Sequence, residues 1–238
     1  MIRSRSMKIL WQHLPERKSC VVKILWSVFA MIFVSFGIYL QLKADIGLSP
    51  WNALNQGLSN VLPISYGTAS IVVSFAVLFI DVIMKEPVGV GTILDSVLIG
   101  LATDFFVWLD PVPEAGSLAL KIVIFLLGLA VLCFGQFFYM DAGLGCGSRD
   151  ALMLALGKKF NKISVGTINN IIFLVVLIAS CFLGATIGLG TVISVFCNGI
   201  MMDAVFKLVK FKPLDVQHQS LAATARSLFA PGTTYEFD

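Results

Sequence analysis

The sequence predicts an all-α integral membrane protein with six transmembrane helices, built as two inverted-topology repeats of three spans. Each repeat also carries a short amphipathic or re-entrant helix. Three observations predict this class. The 238-residue chain is 58% hydrophobic and only 13% charged, whereas soluble domains average about 25% charged residues. Six apolar stretches are long enough to cross a bilayer. Motifs of the first half also recur in the second half, in the same order.

The internal repeat is carried by short motifs at a nearly constant spacing. The matching pairs are Ser65–Thr68 with Ser164–Thr167, Gly89–Thr92 with Gly188–Thr191, Gly47 with Gly145, Gly100 with Gly199, and Asp104 with Asp203. Each match is weak alone, but their shared order and spacing indicate a duplication.

Six spans follow from the apolar stretches. They are 21–42, 65–84, 89–108, 118–139, 164–184 and 188–206. Each has about 20 residues, which at 1.5 Å per residue covers the roughly 30 Å hydrocarbon layer. The first is too long for a signal-peptide core and lacks a small-residue cleavage site, so it is predicted to be a transmembrane helix.

The distribution of lysine and arginine predicts the orientation. Basic residues concentrate in both tails and in the 140–163 connection, whereas the 43–64 and 109–117 connections hold few. The positive-inside rule therefore places both termini in the cytoplasm. Three spans is an odd number, so the second copy enters the membrane from the opposite side, as in many secondary transporters.

The predicted domain organisation follows the repeat. A basic cytoplasmic N-terminal tail, 1–20, precedes membrane repeat 1, 21–108. Membrane repeat 2, 118–206, is followed by a polar cytoplasmic C-terminal tail, 213–238.

A short helix is predicted between the first two spans. Ser49 is a suitable N-cap and Pro50 a suitable first helical residue. A dozen helical residues reach only about 18 Å, so this helix does not span. It is either re-entrant or flat in the interface. A counterpart begins after Gly145 and contains Arg149 and Asp150.

The candidate substrate-binding residues lie where these two short helices begin, because helix N-termini attract anions and carbonyl oxygens. They are Gly47, Ser49, Trp51, Asn52, Gly145, Ser148, Arg149 and Asp150. The alternative is that the helices are interfacial and their glycines serve only close packing.

Three acids inside the spans are candidates for an ion or proton relay: Asp95, Asp104 and Asp203. A charged group at a helix centre costs about 2.5–3.5 kcal/mol on insertion scales, so it needs a partner, water or a function. Asp95 is the strongest candidate, because it lies deepest and its repeat counterpart is Ser194. Asp104 and Asp203 lie near span ends, where a carboxylate can also simply reach the interface.

Other classes of function lack support in the sequence. The five cysteines and two histidines form no metal-ligand pattern, and no catalytic motif or cofactor motif is present. The sequence therefore predicts no enzyme, no metal and no cofactor. The formal charge of +3 comes from basic residues at membrane borders, so nucleic acid is not an expected partner. Expected partners are membrane lipids and an unidentified small solute; a homo-oligomer is left open.

Several of these motifs resemble the YczE/YyaS/YitT family of bacterial multi-pass membrane proteins. The matching segments are Gly47–Leu54, Ser65–Thr68, Gly89–Thr92 and Arg149–Met153, within roughly residues 21–206. Ser148 departs from the proline expected before Arg149. The resemblance implies a location in the bacterial cytoplasmic membrane and brings no substrate.

The inverted duplication with paired short helices favours a carrier or permease for a small solute, working by alternating access between the repeats. The alternative is a membrane-embedded regulatory or scaffold protein without transport activity, which would bind a partner through its tails and its basic cytoplasmic loop.

Overall fold

The computed structural model describes residues 16–86, 88–145, 147–160 and 165–210, and the elements of this part are all α-helices. The predicted tails, 1–20 and 213–238, lie outside the described residues except for 16–20. The helices are α1 Glu16–Ala44, α2 Pro50–Val61, α3 Tyr66–Ile83, α4 Val90–Leu109, α5 Leu118–Ala142, α6 Ser148–Lys159, α7 Val165–Phe182 and α8 Leu189–Leu208.

Five of these helices are long and apolar enough to cross a membrane: α1 from Cys20 onward, α3, α4, α5 and α8. The predicted span 164–184 corresponds to a shorter apolar helix, Thr167–Phe182, within α7. The all-helical, multi-pass prediction is thus confirmed, and both short helices, α2 and α6, are present with 12 residues each.

Side chains that satisfy free backbone donors mark where the long helices begin. The Thr68 N–H donates to Ser65 Oγ at 3.1 Å at the start of α3. The helices α4 and α8 begin identically: Gly89 N–H donates to Thr92 Oγ1, and Gly188 N–H to Thr191 Oγ1, both at 3.3 Å. The Gly-x-Gly-Thr motifs therefore open two long helices, as the sequence predicts.

The helices α1 and α5 form the central pair, with α4 packed on α1 and α8 packed on α5. Their backbones meet at glycines. A Cβ added at Gly37 would lie 2.7 Å from the Gly128 carbonyl oxygen, and one added at Gly128 would lie 2.8 Å from the Gly37 carbonyl oxygen. A Cβ at Gly135 would lie 3.2 Å from the Ala30 carbonyl oxygen. Small residues permit this approach, which strengthens van der Waals packing.

A polar cluster joins the C-terminal ends of α1 and α4. Asp110 adopts a left-handed conformation with φ 42° at the end of α4. Its Oδ2 accepts from Lys43 Nζ and its Oδ1 from the Tyr39 hydroxyl, both at 2.7 Å. The Lys43 hydrogen bond first, and the Tyr39 hydrogen bond second, lower the pKa of the Asp110 carboxyl below its usual value.

This cluster gives the first prediction. An Asp110→Asn variant keeps the backbone conformation, since asparagine tolerates left-handed φ, but it carries no charge to pair with Lys43 and offers one acceptor oxygen in place of the two that Lys43 and Tyr39 use. A lowered carboxyl pKa stabilises the fold fully above the unfolded value of about 3.9 and loses that contribution as the pH falls through the folded value. We expect the variant to unfold at a lower temperature at pH 7 in detergent. The deficit should shrink as the pH drops below about 4, and a deficit independent of pH would contradict the assignment.

The close contact of α1 with α5 at Gly37 and Gly128 gives the second prediction. Gly37→Ala pushes a methyl group into the α5 backbone, and overpacking of this kind costs about 1–3 kcal/mol. Gly199→Ala is the matched control, because Gly199 is also helical and a Cβ there meets nothing within 4 Å. Alanine should be neutral or slightly stabilising at that position. Thermal unfolding in detergent should therefore rank the Gly37 variant clearly below the Gly199 variant, and equal midpoints would refute the tight crossing.

Candidate functional site

The two short helices meet at their N-terminal ends. The helices α3 and α7 flank both α2 and α6. At the meeting point the Arg149 guanidinium carbon lies 5.3 Å from the centroid of the Trp51 ring. This distance is typical of a cation–π contact. Trp51 and Arg149 occupy equivalent positions in the two sequence repeats, so a residue of one copy contacts its own counterpart.

The loops that lead into the short helices depend on glycine. Gly47 has φ 102° and Gly145 has φ 131°, conformations that side chains beyond glycine rarely adopt. A Cβ at Gly47 would lie 2.5 Å from Gly188 N, and one at Gly145 would lie 2.9 Å from Thr92 Oγ1. Each glycine therefore lets its loop pack directly against the start of a long helix, α8 for Gly47 and α4 for Gly145.

The loop contacts cross between the two halves of the chain. The Gly190 N–H of α8 donates to the Ile46 carbonyl at 2.7 Å, and the Gly91 N–H of α4 donates to the Leu144 carbonyl at 2.9 Å. The loop before α2 is thus hydrogen-bonded to α8 of the second copy, and the loop before α6 is hydrogen-bonded to α4 of the first copy. These bonds set where each short helix begins.

Neither short helix has a side-chain cap. Ser49, the N-cap of α2, makes no side-chain hydrogen bond to the first turn, and the N-cap of α6 is Gly147. The first-turn N–H groups and the positive ends of both helix dipoles are therefore left for another acceptor.

Buried polar side chains without partners surround the meeting point. Asn55 is 0% exposed, and both its amide atoms lack a hydrogen-bond partner in the described part of the protein. Ser148 Oγ and the Tyr66 hydroxyl are buried and unpartnered within the same described ranges. Tyr66 neighbours the Asn55 amide and lies within electrostatic range of Arg149. Buried polar atoms in native proteins are normally hydrogen-bonded, so this cluster is suited to a polar ligand or water.

Asp95 approaches the N-terminal end of α6. A Cβ built at Gly147 would lie 3.3 Å from Asp95 Oδ2 and 3.6 Å from Asp150 Oδ2. Arg149 and Asp150 are the charged groups that act electrostatically on Asp95. The structure therefore brings Asp95 together with the predicted residues Gly145, Arg149 and Asp150.

The predicted residues of the first copy lie at the N-terminal end of α2. Asn52 is 2% exposed beside Trp51, and Ser49 is partly buried at the N-cap of α2. The Ser180 hydroxyl of α7 contacts the Pro50 carbonyl oxygen at 3.4 Å, which anchors this end of α2. All eight predicted substrate residues thus belong to the two loops and helix starts that meet at Trp51 and Arg149.

The other two predicted relay acids lie elsewhere. Asp104 accepts from the Gly67 N–H at 2.7 Å and from the Ser65 hydroxyl, so it satisfies the start of α3. Asp203 is exposed on α8 and makes neither a hydrogen bond nor an ion pair within the described residues. The three acids do not form a chain: Asp95 lies beside the start of α6, whereas Asp104 bonds the start of α3 and acts electrostatically on Tyr66.

Three relevant residues were not among the predicted site residues. Asn55 lies four residues after Trp51, on the same face of α2, and that spacing could have revealed it. Tyr66 interrupts the repeat, since its counterpart is Val165. Asp81 is 1% exposed in α3 and both its oxygens lack partners in the described part. An acid in an apolar stretch is the signal that could have found it.

Comparison with known proteins assigns a family. A model described as "Family of unknown function (DUF6198)" matches residues 21–207. The chain belongs to the DUF6198 family. No solved structure matches.

Relatives of this DUF6198 chain include three bacterial proteins, one of which is described as a membrane protein. "Uncharacterized membrane protein YczE" of Bacillus subtilis is 29% identical over 181 residues, covering 74% of this chain and 83% of the relative. An "Uncharacterized protein" of Haemophilus influenzae is 26% identical, covering 78% and 84%. "Uncharacterized protein YyaS" of Bacillus subtilis is 23% identical, covering 79% and 94%. The resemblance to YczE and YyaS is confirmed, and the protein is a multi-pass membrane protein.

The loop geometry gives the third prediction. Gly145→Ala combines a forbidden φ with a clash against Thr92 and Gly89, whereas Gly184→Ala has φ 69° but meets nothing within 4 Å. The control carries the left-handed penalty of about 1–2 kcal/mol without a clash, whereas Gly145→Ala adds a less accessible φ and the clash together. We expect the Gly145 variant to lower the thermal unfolding midpoint distinctly more than the Gly184 variant. Equal decreases in the thermal unfolding midpoint would mean that the loop does not pack against α4.

Proposed function

We propose that this DUF6198 protein is a carrier for a small solute in the bacterial cytoplasmic membrane. It works by alternating access between two inverted three-span repeats, with both termini in the cytoplasm. The observation that carries the proposal is the contact of Trp51 with Arg149 at 5.3 Å, beside buried polar groups without partners. Broken helices whose N-termini point at a central site are the solute-binding arrangement of inverted-repeat carriers.

The distance between the short helices supports a re-entrant arrangement. Two helices lying flat in opposite interfaces would be separated by about 30 Å of hydrocarbon. With the two helices entering from opposite faces, as we propose, contact between Trp51 and Arg149 is explained if both enter the bilayer and meet near its middle. Irregular backbone at that depth is tolerated where protein surrounds it, and the crossed bonds to Gly91 and Gly190 supply this surrounding.

The crossed contacts support the inverted repeat. When two equivalent units face each other across a two-fold axis, residue i of one contacts j of the other, and the reverse contact also forms. The bonds Gly190 to Ile46 and Gly91 to Leu144 are such a pair. The crossing of α1 and α5 repeats the pattern, with Gly37 against Gly128 matched by Ala30 against Gly135.

One pair of contacts breaks this symmetry. The helices α3 and α4 pack tightly: a Cβ at Gly100 would lie 2.5 Å from the Gly67 carbonyl oxygen, and Asp104 bonds the start of α3. The helices α7 and α8 make no comparable contact within the described residues. A Cβ at Gly199, the counterpart of Gly100, meets nothing within 4 Å.

This difference fits one state of a transport cycle. In the proposed orientation the Gly67–Gly100 contact lies toward the outer face and Gly199 toward the cytoplasm. The observed arrangement is then closed outside and open inside. The opposite state would close α8 onto α7 at Gly199 and release α4 from α3, which exposes the site alternately to each face.

The fourth prediction tests transport directly. The purified protein in liposomes, incubated with a pooled panel of small metabolites, should accumulate one class of solute measured by mass spectrometry. Gly199→Leu should reduce that uptake at least tenfold, because the side chain blocks closure of α8 on α7. Its unfolding temperature should stay near that of the unmodified protein, since the position is open in the observed state.

Ile200→Phe is the matched control, because Ile200 is 70% exposed on the same helix and should contact lipid in both states. Deleting residues 213–238 should also leave uptake intact, whereas a scaffold that acts through its tail would lose its activity. Uptake of no solute across a broad panel would overturn the carrier proposal. Equal uptake by the Gly199 and Ile200 variants would overturn the closure of α8.

A further inference from the structure

We propose that the site at the helix ends binds a small organic anion, with its carboxylate on Arg149. This inference rests on the proposed function and names the substrate class for the same site. It follows from the excess of hydrogen-bond donors that converge where α2 meets α6.

The N–H groups along the edge of the Arg149 guanidinium form no ion pair within the described residues. One face of its guanidinium covers the Trp51 ring. Within the described residues it forms no ion pair with a carboxylate, although Asp95 and Asp150 interact with it electrostatically. A guanidinium stacked on an aromatic ring keeps its N–H groups in the plane of the fork, the geometry that binds a carboxylate through two hydrogen bonds.

The surrounding groups are donors as well. The first turns of α2 and α6 present backbone N–H groups without a side-chain cap. Independently, the buried Ser148 hydroxyl has no partner in the described part, and the Tyr66 hydroxyl and the Asn55 amide lie beside each other without a further partner there. Each of these can donate to an anion. A bound carboxylate would satisfy buried groups whose desolvation otherwise costs about 1–3 kcal/mol each.

The site suits a small ligand. Trp51 and Arg149 already touch, and the neighbouring side chains of α2 and α6 pack against α7. The packed residues are Leu54, Met153, Ile168, Ile172 and Val176. A ligand with a short apolar body can bind at the free edge of Arg149 and pack beside Trp51, whereas a large one would have to separate the two helix ends.

The local charge indicates that a proton enters with the anion. Arg149 and Asp150, both on α6, are the charged groups facing Asp95, and the described parts of α1 and α3 contribute no further charge to it. Asp95 and Asp150 together already balance the arginine and the helix dipoles. An added carboxylate would leave an excess negative charge in a poorly solvated place, so we infer that Asp95 takes a proton from water when the anion binds.

Trp51 fluorescence provides the test. The protein contains four tryptophans, and the signal lost in Trp51→Phe isolates the reporter at the site. We expect acetate, lactate or succinate to change this signal in a saturable way. Lactamide, a neutral analogue of lactate, should not change the Trp51 fluorescence. Alanine serves as the zwitterionic probe. Arg149→Gln should weaken anion binding at least tenfold, and Arg149→Lys less.

The pH dependence tests the proton. Binding of the anion should tighten as the pH falls, because protonated Asp95 no longer repels it. Asp95→Asn should bind the anion with little dependence on pH. A pH dependence that persists unchanged in this variant would exclude Asp95 as the proton acceptor.

The outcomes separate this inference from the carrier proposal. Anion binding without uptake in liposomes would remove the carrier and leave the anion site. Uptake of a neutral or cationic solute that is unaffected by Arg149→Gln would leave the carrier and overturn the anion site. Failure of every anion in the panel to change Trp51 fluorescence in the stable, unmodified protein would overturn it as well.

Discussion

Two backbone hydrogen bonds hold the centre of this molecule together. They join Gly190 N–H to the Ile46 carbonyl and Gly91 N–H to the Leu144 carbonyl. In apolar surroundings an irregular loop persists only if its polar groups are satisfied internally, and here each loop is satisfied by the start of a helix from the other half of the chain. Glycine is required in both loops. A Cβ at Gly47 would clash with the start of α8, and a Cβ at Gly145 would clash with the start of α4. The position of both short helices follows from this constraint.

The same constraint explains the electrostatics of the site. Because the loops deliver two helix N-termini to one place, two positive dipole ends face each other, which would be repulsive without compensation. Asp95 and Asp150 lie close to the α6 end, and the aromatic face of Trp51 covers the charge of Arg149. The acids therefore help the fold to tolerate the arrangement, and the proposed ligand competes with them for the arginine.

Much of the fold could be predicted from the sequence, because local signals determine it. The two Gly-x-Gly-Thr motifs start helices through hydrogen bonds within one turn. Pro50 presets the backbone at the first position of α2, although Ser49 makes no capping bond. The contact of Trp51 with Arg149 could not be predicted, since it depends on how α2 and α6 pack against α3 and α7, which local sequence does not encode. The same holds for Asp104: its sequence position suggests a charge inside a span, but only the packing of α3 against α4 shows that it bonds the Gly67 N–H.

The differences between the repeats are more informative about function than their similarities. Residues that match between the copies, such as Gly47 with Gly145 and Gly91 with Gly190, are those that hold the backbone together. Residues that differ cluster at the meeting point: Trp51 faces Arg149, and Asp95 has Ser194 as its counterpart. Two arginines at these equivalent, contacting positions would repel each other, whereas tryptophan at one of them gives the arginine an aromatic face to stack on. The matching residues thus supply two equivalent sets of contacts for the scaffold, and the residues that differ leave one arginine, flanked by Asp95 and Asp150, where the short helices meet.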